Sequence, residues 1–138
     1  MSSIAQRTPE SLAQRDLQIW NDGDVDQLDE IYSTDAMFVD AFGKDHEIDS
    51  WKAYLLLIRT AFPDLHVRVM ESITEGDMVV TRFVIGGTME GEYRGFKPTG
   101  RPFEIHGLIS HRIEDEEIVE AWNAINSLAI LEQVGVWE

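Results

Sequence analysis

Up to Pro63 the apolar residues recur mostly at spacings of three and four, the period of helices that bury one face. Thr8 followed by Pro9 reads as an N-cap with proline at the first helical position, and Ala13, Leu17 and Trp20 then share a face that ends at "NDGD". Asp24 is placed to cap a second short helix carrying Val25, Leu28, Ile31 and Tyr32. "AMFVDAF" breaks this rhythm as a strand. Ser50 is placed to cap a third helix with Trp51, Tyr54, Leu55, Ile58 and Phe62 on one face, stopped by Pro63.

Beyond Pro63 the period falls to two. "LHVRVMESIT" alternates apolar and polar residues, "EGD" turns the chain, and "MVVTRFVIGG" returns. After a loop rich in Gly and Pro, "FEIHGLISHRI" runs out and "EIVEAWNAI" comes back, joined by "EDEE", a turn without the usual glycine. Leu128, Leu131 and Val134 mark a last short helix. Helices first and antiparallel strands afterwards predict an α+β fold, with the N-terminal helices packed on one face of a curved antiparallel sheet. A sheet folded around helices leaves room for a pocket between the layers.

Composition narrows this picture. A chain of 138 residues is expected to form one domain, 1–138, large enough for a sizeable core. No apolar run approaches the length of a membrane span, and "MSSIAQRTPE" lacks a signal-peptide core, so a cytoplasmic location is expected. The absence of cysteine removes disulfides, thiolate metal sites and a cysteine nucleophile. A net charge of -15 argues against nucleic acid or an anionic membrane as partner.

The segment "IVEAWNAINSLAILEQVG" poses a chemical question. Between Glu120 and Asn126 its only polar side chains are the amides of Asn123 and Asn126. A buried amide is costly unless it is hydrogen-bonded, so each amide supports backbone, meets solvent or faces a ligand. Their separation is odd, so on a continuous strand only one faces inward. Asn123 is expected in the pocket, and Asn126, near the strand's end, is expected to serve backbone and cap the final helix.

"AFPDLHVRV", "GTMEGEYRGFKPTGRPFEI" and "IVEAWNAINSLAILEQVG" together resemble the SnoaL-like polyketide cyclases, of the superfamily of nuclear transport factor two and ketosteroid isomerase. The resemblance implies a cone-shaped α+β barrel, an enclosed apolar pocket, a small apolar ligand and a homodimer formed through the sheet. Members of such families often carry an acid directly after the tryptophan and another three residues later. Here both are amides, which keep the hydrogen bonds but exchange no proton near neutral pH.

Asp40 is then the carboxylate of most interest, because "MFVDAFG" is similar to the strand that holds the general base of the ketosteroid isomerases. Its apolar neighbours would raise its pKa towards that of a useful base. The plainer reading is a turn carboxylate at a strand end, and both stand. An oxyanion hole of the isomerase kind is not expected, since Asp16 and Ile109 occupy the positions where its tyrosine and protonated aspartate would lie.

His106 and His111 are five apart and face opposite sides of one strand, so they share no metal, and no metal or other cofactor is expected. His106 is the histidine placed for a pocket role, because its strand pairs with that of Asn123; a sheet-surface histidine is the alternative. His46, in "KDHE", is expected to be solvated, and His66 to lie on the outer face. Trp20, Phe38, Trp51, Tyr54, Ile109 and Trp122 are expected to supply core and pocket wall together.

Three functions follow. In the first, a cofactor-independent enzyme acts on an apolar carbonyl or polyketide-type substrate, with Asp40 taking a proton and Asn123, with or without His106, holding the enolate. In the second, the pocket binds a ligand without chemistry, as an accessory protein. In the third, a hydroxylase-type relative positions a substrate for oxygen chemistry.

Overall fold

The computed structural model describes residues 7–137. Helix α1 (Pro9–Asp22) starts as its sequence predicts: Thr8 Oγ1 accepts the Ser11 N–H at 3.1 Å, and Ser11 Oγ accepts the Thr8 N–H at 3.0 Å. Leu12, Ala13, Leu17, Ile19 and Trp20 are buried along it, and so is Asp16. The expected second short helix, Val25–Glu30, is a 3-10 helix with Asp24 at its N-cap position, but Asp24 Oδ2 accepts from Gln27 Nε2 at 2.8 Å and caps no backbone group.

Strands β1 (Tyr32–Val39) and β2 (Asp45–His46) form a short hairpin ahead of α2 (Ile48–Ala61). Ser50 lies inside the first turn of α2 instead of capping it; Glu47 holds the N-cap position without a side-chain bond. Then come β3 (His66–Glu75), β4 (Met78–Thr88), β5 (Pro102–Glu114), β6 (Glu117–Ile125) and α3 (Ser127–Val134). The expected last short helix is α3, in which Leu128 is exposed while Ile130 and Val134 are buried.

One six-stranded sheet runs β2-β1-β6-β5-β4-β3. Most of its pairings are antiparallel as expected, but β1 and β6 run parallel, with Phe38 opposite Ala121 and Val39 opposite Trp122. The long chain between them permits this, where a tight hairpin would not. Bulges between Val69 and Glu71 and between Arg112 and Ile113 accompany the curvature of the sheet. The sheet stays open, with β2 and β3 as its edges, so the implied barrel is not closed.

Strict alternation on β5 sorts its residues. Phe103, Ile105, Ile109, His111 and Ile113 are buried, while Glu104, His106 and Leu108 face out. Gly107 belongs to the inner set because a Cβ there would collide with Phe83 and Ile125. The inner face meets α1 through β3 and β4, and α3 through β5; α2 packs on β1. These layers enclose a core in which Trp51, Phe38, Phe62 and Phe83 are the largest fully buried side chains.

Candidate functional site

A narrow cavity lies between the helices and the inner face. Trp20 reaches it from α1, Trp51, Tyr54, Leu55 and Ile58 from α2, Ile85 from β4, Phe103 from β5, and Asn123 and Ile125 from β6. Ala41, Phe62, Leu65, Tyr93 and Ile130 complete the wall. Its volume is ≈ 40 Å³, room for a few waters, so a larger ligand must part the side chains that line it. Arg94 stacks its guanidinium over the Phe42 ring at 3.6 Å and joins the 90s loop to the turn that carries Ala41.

Asn123 is the one amide in this apolar lining. The alternation of β6 places it between the exposed Trp122 and Ala124, on the side shared with buried Ala121, and opposite Ile109 of β5. Its Oδ1 is buried and has no hydrogen-bond partner in the protein. Asn126 does something else: it is exposed, and its Oδ1 accepts the Ala129 N–H at 3.2 Å as the N-cap of α3. The two amides of β6 and its junction with α3 therefore divide between cavity and backbone.

Asp40 is buried just beyond β1, beside Ala41 of the cavity wall. Its Oδ1 accepts the N–H groups of Phe42 and Lys44 at 2.8 and 3.0 Å, and its Oδ2 lies 2.6 Å from Nε2 of His46. Burial pushes its pKa up, but the hydrogen bond and charge of His46 and the two backbone N–H groups outweigh burial. The carboxyl is held below its ordinary value, the reverse of the raised pKa expected from its apolar neighbours. Asp40 is a turn carboxylate at a strand end, and that environment makes it a weak base.

His46 is buried, not solvated as its acidic sequence context suggests. Its Nδ1 lies 2.7 Å from Ser50 Oγ, and its ring packs on Tyr54 and Trp51 at centroid distances of 5.0 and 5.9 Å. An ionised carboxylate only accepts hydrogen bonds, so the Nε2–H of His46 donates to Asp40 while Nδ1 faces the Ser50 hydroxyl. Sequence reasoning missed this row of Asp40, His46 and Ser50. The available signal was the hairpin: Gly43, at φ 78°, turns β1 into β2 and sets His46 opposite Phe38. Burial also pushes the phenols of Tyr54 and Tyr93 above their ordinary pKa, so both stay neutral on the cavity wall.

A second buried polar cluster lies apart from the cavity lining. Asp16 Oδ2 accepts the Tyr32 hydroxyl at 2.7 Å and lies 2.7 Å from His111 Nε2, all three within the core. Burial, with the charge and hydrogen bond of Asp16, pushes the Tyr32 phenol well above its ordinary pKa.

Other expected site residues fall elsewhere. His106 is exposed on the outer face, because β5 turns Ile105 and Gly107 inward, so it does not meet Asn123 across the cavity. Trp122 is 52% exposed on that same outer face, one residue out of phase with Asn123. Phe38 stacks on Trp51 at 4.7 Å from behind the wall, and Ile109 is buried in the core opposite Asn123. Trp20, Trp51 and Tyr54 do line the cavity. Among the described residues no group of three His, Asp or Glu side chains is placed to hold a metal, and no helix is long and apolar enough to cross a membrane.

The family described as SnoaL-like polyketide cyclase matches residues 10–134. Among solved structures the chain is similar to IdmH of Streptomyces antibioticus, a proposed polyketide cyclase, with 31% identity over 93% of this chain and 99% of that one and a TM-score of 0.81. It is also similar to AclR of Streptomyces galilaeus, a proposed hydroxylase, at 26% identity, 99% and 100% coverage and a TM-score of 0.83. TsrD of Streptomyces laurentii, at 22% identity over 96% and 98% with a TM-score of 0.83, shares the fold. No curated protein matches the chain.

Proposed function

From the premise that this chain belongs to the SnoaL-like polyketide cyclase family, we propose that it is a cofactor-independent enzyme acting on a small apolar carbonyl compound of polyketide type. The observation that carries this reading is Asn123, whose buried and unpartnered Oδ1 belongs to the one amide of an otherwise apolar cavity wall. The Nδ2–H group of that amide donates to the oxygen on which charge grows as a proton leaves the neighbouring carbon, while Oδ1 is left to accept from a ligand hydroxyl, and apolar surroundings strengthen both bonds. The proton acceptor in this reading is the Asp40–His46 pair, since the oxygens of Asp40 are already taken up by three hydrogen bonds. Ionised Asp40 keeps the Nε2 proton in place, and a proton taken up at Nδ1 would pass through the Ser50 hydroxyl bonded to it.

The test is exchange of the α-protons of acetophenone in D2O, followed by NMR. Acceleration by the protein that falls by about 10²-fold in Asn123→Ala, the scale of losing one such donor, supports the proposal. No acceleration by the parent protein overturns it. The second reading, a ligand-binding protein without chemistry, draws support from the saturated hydrogen bonding of Asp40 and predicts that null result together with retained binding. A hydroxylase-type role rests on the likeness to AclR.

The same proposal includes a homodimer through the outer face of the sheet and a cytoplasmic location. Ile73 lies opposite Val80, Val80 opposite Ser110, and Ser110 opposite Trp122, so one exposed row crosses four strands. Leu108 extends this apolar surface from the adjacent row.

A further inference from the structure

We propose that the cavity recognises its ligand through three polar groups, the indole N–H of Trp20, the indole N–H of Trp51 and the amide of Asn123. The ligand class that fits is an apolar ring compound bearing both a carbonyl and a hydroxyl or enol. This rests on the reading of the cavity as the ligand site, but not on the chemistry proposed to occur there.

A buried polar atom without a partner is rare and costly, and each one calls for an explanation. Among the described residues, Trp20 Nε1, Trp51 Nε1 and Asn123 Oδ1 are all buried without a hydrogen-bond partner, and all three residues line this one cavity. The tryptophans are 5% and 1% exposed, so solvent does not serve their N–H groups. Their rings are neighbours on the wall, 5.8 Å apart at the centroids. Trp51 is stacked between Phe38 and Tyr54, at 4.7 and 5.3 Å, so its ring is held in place.

The inventory decides the ligand chemistry. An indole nitrogen only donates, so the tryptophans call for an acceptor such as a carbonyl oxygen. The amide oxygen of Asn123 calls for a donor, which a hydroxyl or enol supplies. A pure hydrocarbon leaves all three atoms unmatched. Water donates and accepts, and ≈ 40 Å³ holds a few molecules, so hydration is the competing explanation that the experiment must separate.

The experiment titrates four single-ring compounds of similar size into the intact protein: ethylbenzene, 4-ethylphenol, acetophenone and 4-hydroxyacetophenone. Indole N–H signals are followed by 15N NMR and assigned with Trp20→Phe and Trp51→Phe. Hydrophobic transfer alone ranks ethylbenzene first. The polar set predicts that 4-hydroxyacetophenone binds at least as tightly, with the Trp20 and Trp51 indole protons moving downfield for the two ketones only. Asn123→Leu should weaken 4-ethylphenol and 4-hydroxyacetophenone by about tenfold and leave ethylbenzene unchanged, whereas Trp51→Phe should weaken the two ketones.

If ethylbenzene binds best and no indole signal responds to a ketone, water serves these atoms; the inference falls while the cavity remains the ligand site. If none of the four binds, the inference and the function reading fall together. A thermal melt of each variant checks folding, and the ranking on the parent protein decides by itself if a variant does not fold.

Discussion

Asp40 shows how two opposing pressures on one residue are resolved. Phe38, Val39 and Phe42 invite a raised pKa by desolvation, yet two N–H groups and His46 reach its oxygens and win. The sign for stability follows. A carboxyl whose folded pKa lies below its unfolded value of about 3.9 stabilises the fold above that pH, and the contribution is lost as pH falls through the folded value. Asp40→Asn should therefore be less stable than the parent at pH 7 by about 1–3 kcal/mol and lose part of the parent's decline below pH 4, checked by thermal melts across pH. At position 123 the reverse sign applies. Val39 pairs with Trp122, so Asn123 sits one residue beyond that pair and close to Asp40. Asn123→Asp adds a like charge in an apolar wall, raises its own pKa and destabilises at neutral pH. The loss should shrink towards pH 4 as the new carboxyl is protonated. A variant that melts like the parent at every pH would put position 123 outside the cavity.

At the scale of elements, most of the chain was legible because burial imposes a period. Strand β6 matches the alternating "EIVEAWNAI" end to end, and Thr8-Pro9 marks the start of α1 through its own chemistry. What escaped was local pairing. From their neighbours along the chain, His46 reads as solvated and Ser50 as a helix cap. The β1–β2 hairpin instead folds His46 onto Asp40, and Ser50 meets His46 from the first turn of α2, contacts that no period encodes. The parallel β1–β6 pair was hidden for a similar reason, since pairing between strands far apart in sequence leaves no turn to read. The β5–β6 turn was placed correctly despite its composition: Asp115 and Glu116 adopt φ 51° and 62°, a strained conformation for non-glycine residues. Glu116→Gly should relieve that strain and stabilise by about 0.5–1 kcal/mol after the extra unfolded-state entropy of glycine is deducted, seen as a raised melting midpoint. An unchanged or lower midpoint would show that the turn carries no such strain.

For the whole molecule, the alternation that turned Asn123 inward turned Trp122 outward, so one strand carries both the candidate site and the candidate interface. Ile73 is 71% exposed and Trp122 is 52% exposed at the two ends of the row through Val80 and Ser110. An apolar row of this kind on a chain of net charge -15 is out of keeping with the rest of the surface. A second copy meeting it would bury the row, but the two negative charges oppose association at long range. Both terms make predictions for sedimentation equilibrium. Raising salt from low to physiological ionic strength should strengthen self-association by screening the repulsion, whereas an interface held by ion pairs would weaken. Trp122→Lys should shift the protein to monomer by removing an apolar anchor and placing a charge at the contact, with its melting midpoint otherwise close to that of the parent monomer because the side chain is half exposed. His106→Ala, on the same face, should leave binding in the cavity untouched. A parent protein that stays monomeric at all salt concentrations would leave the row without a partner of its own kind and remove the dimer from the proposal.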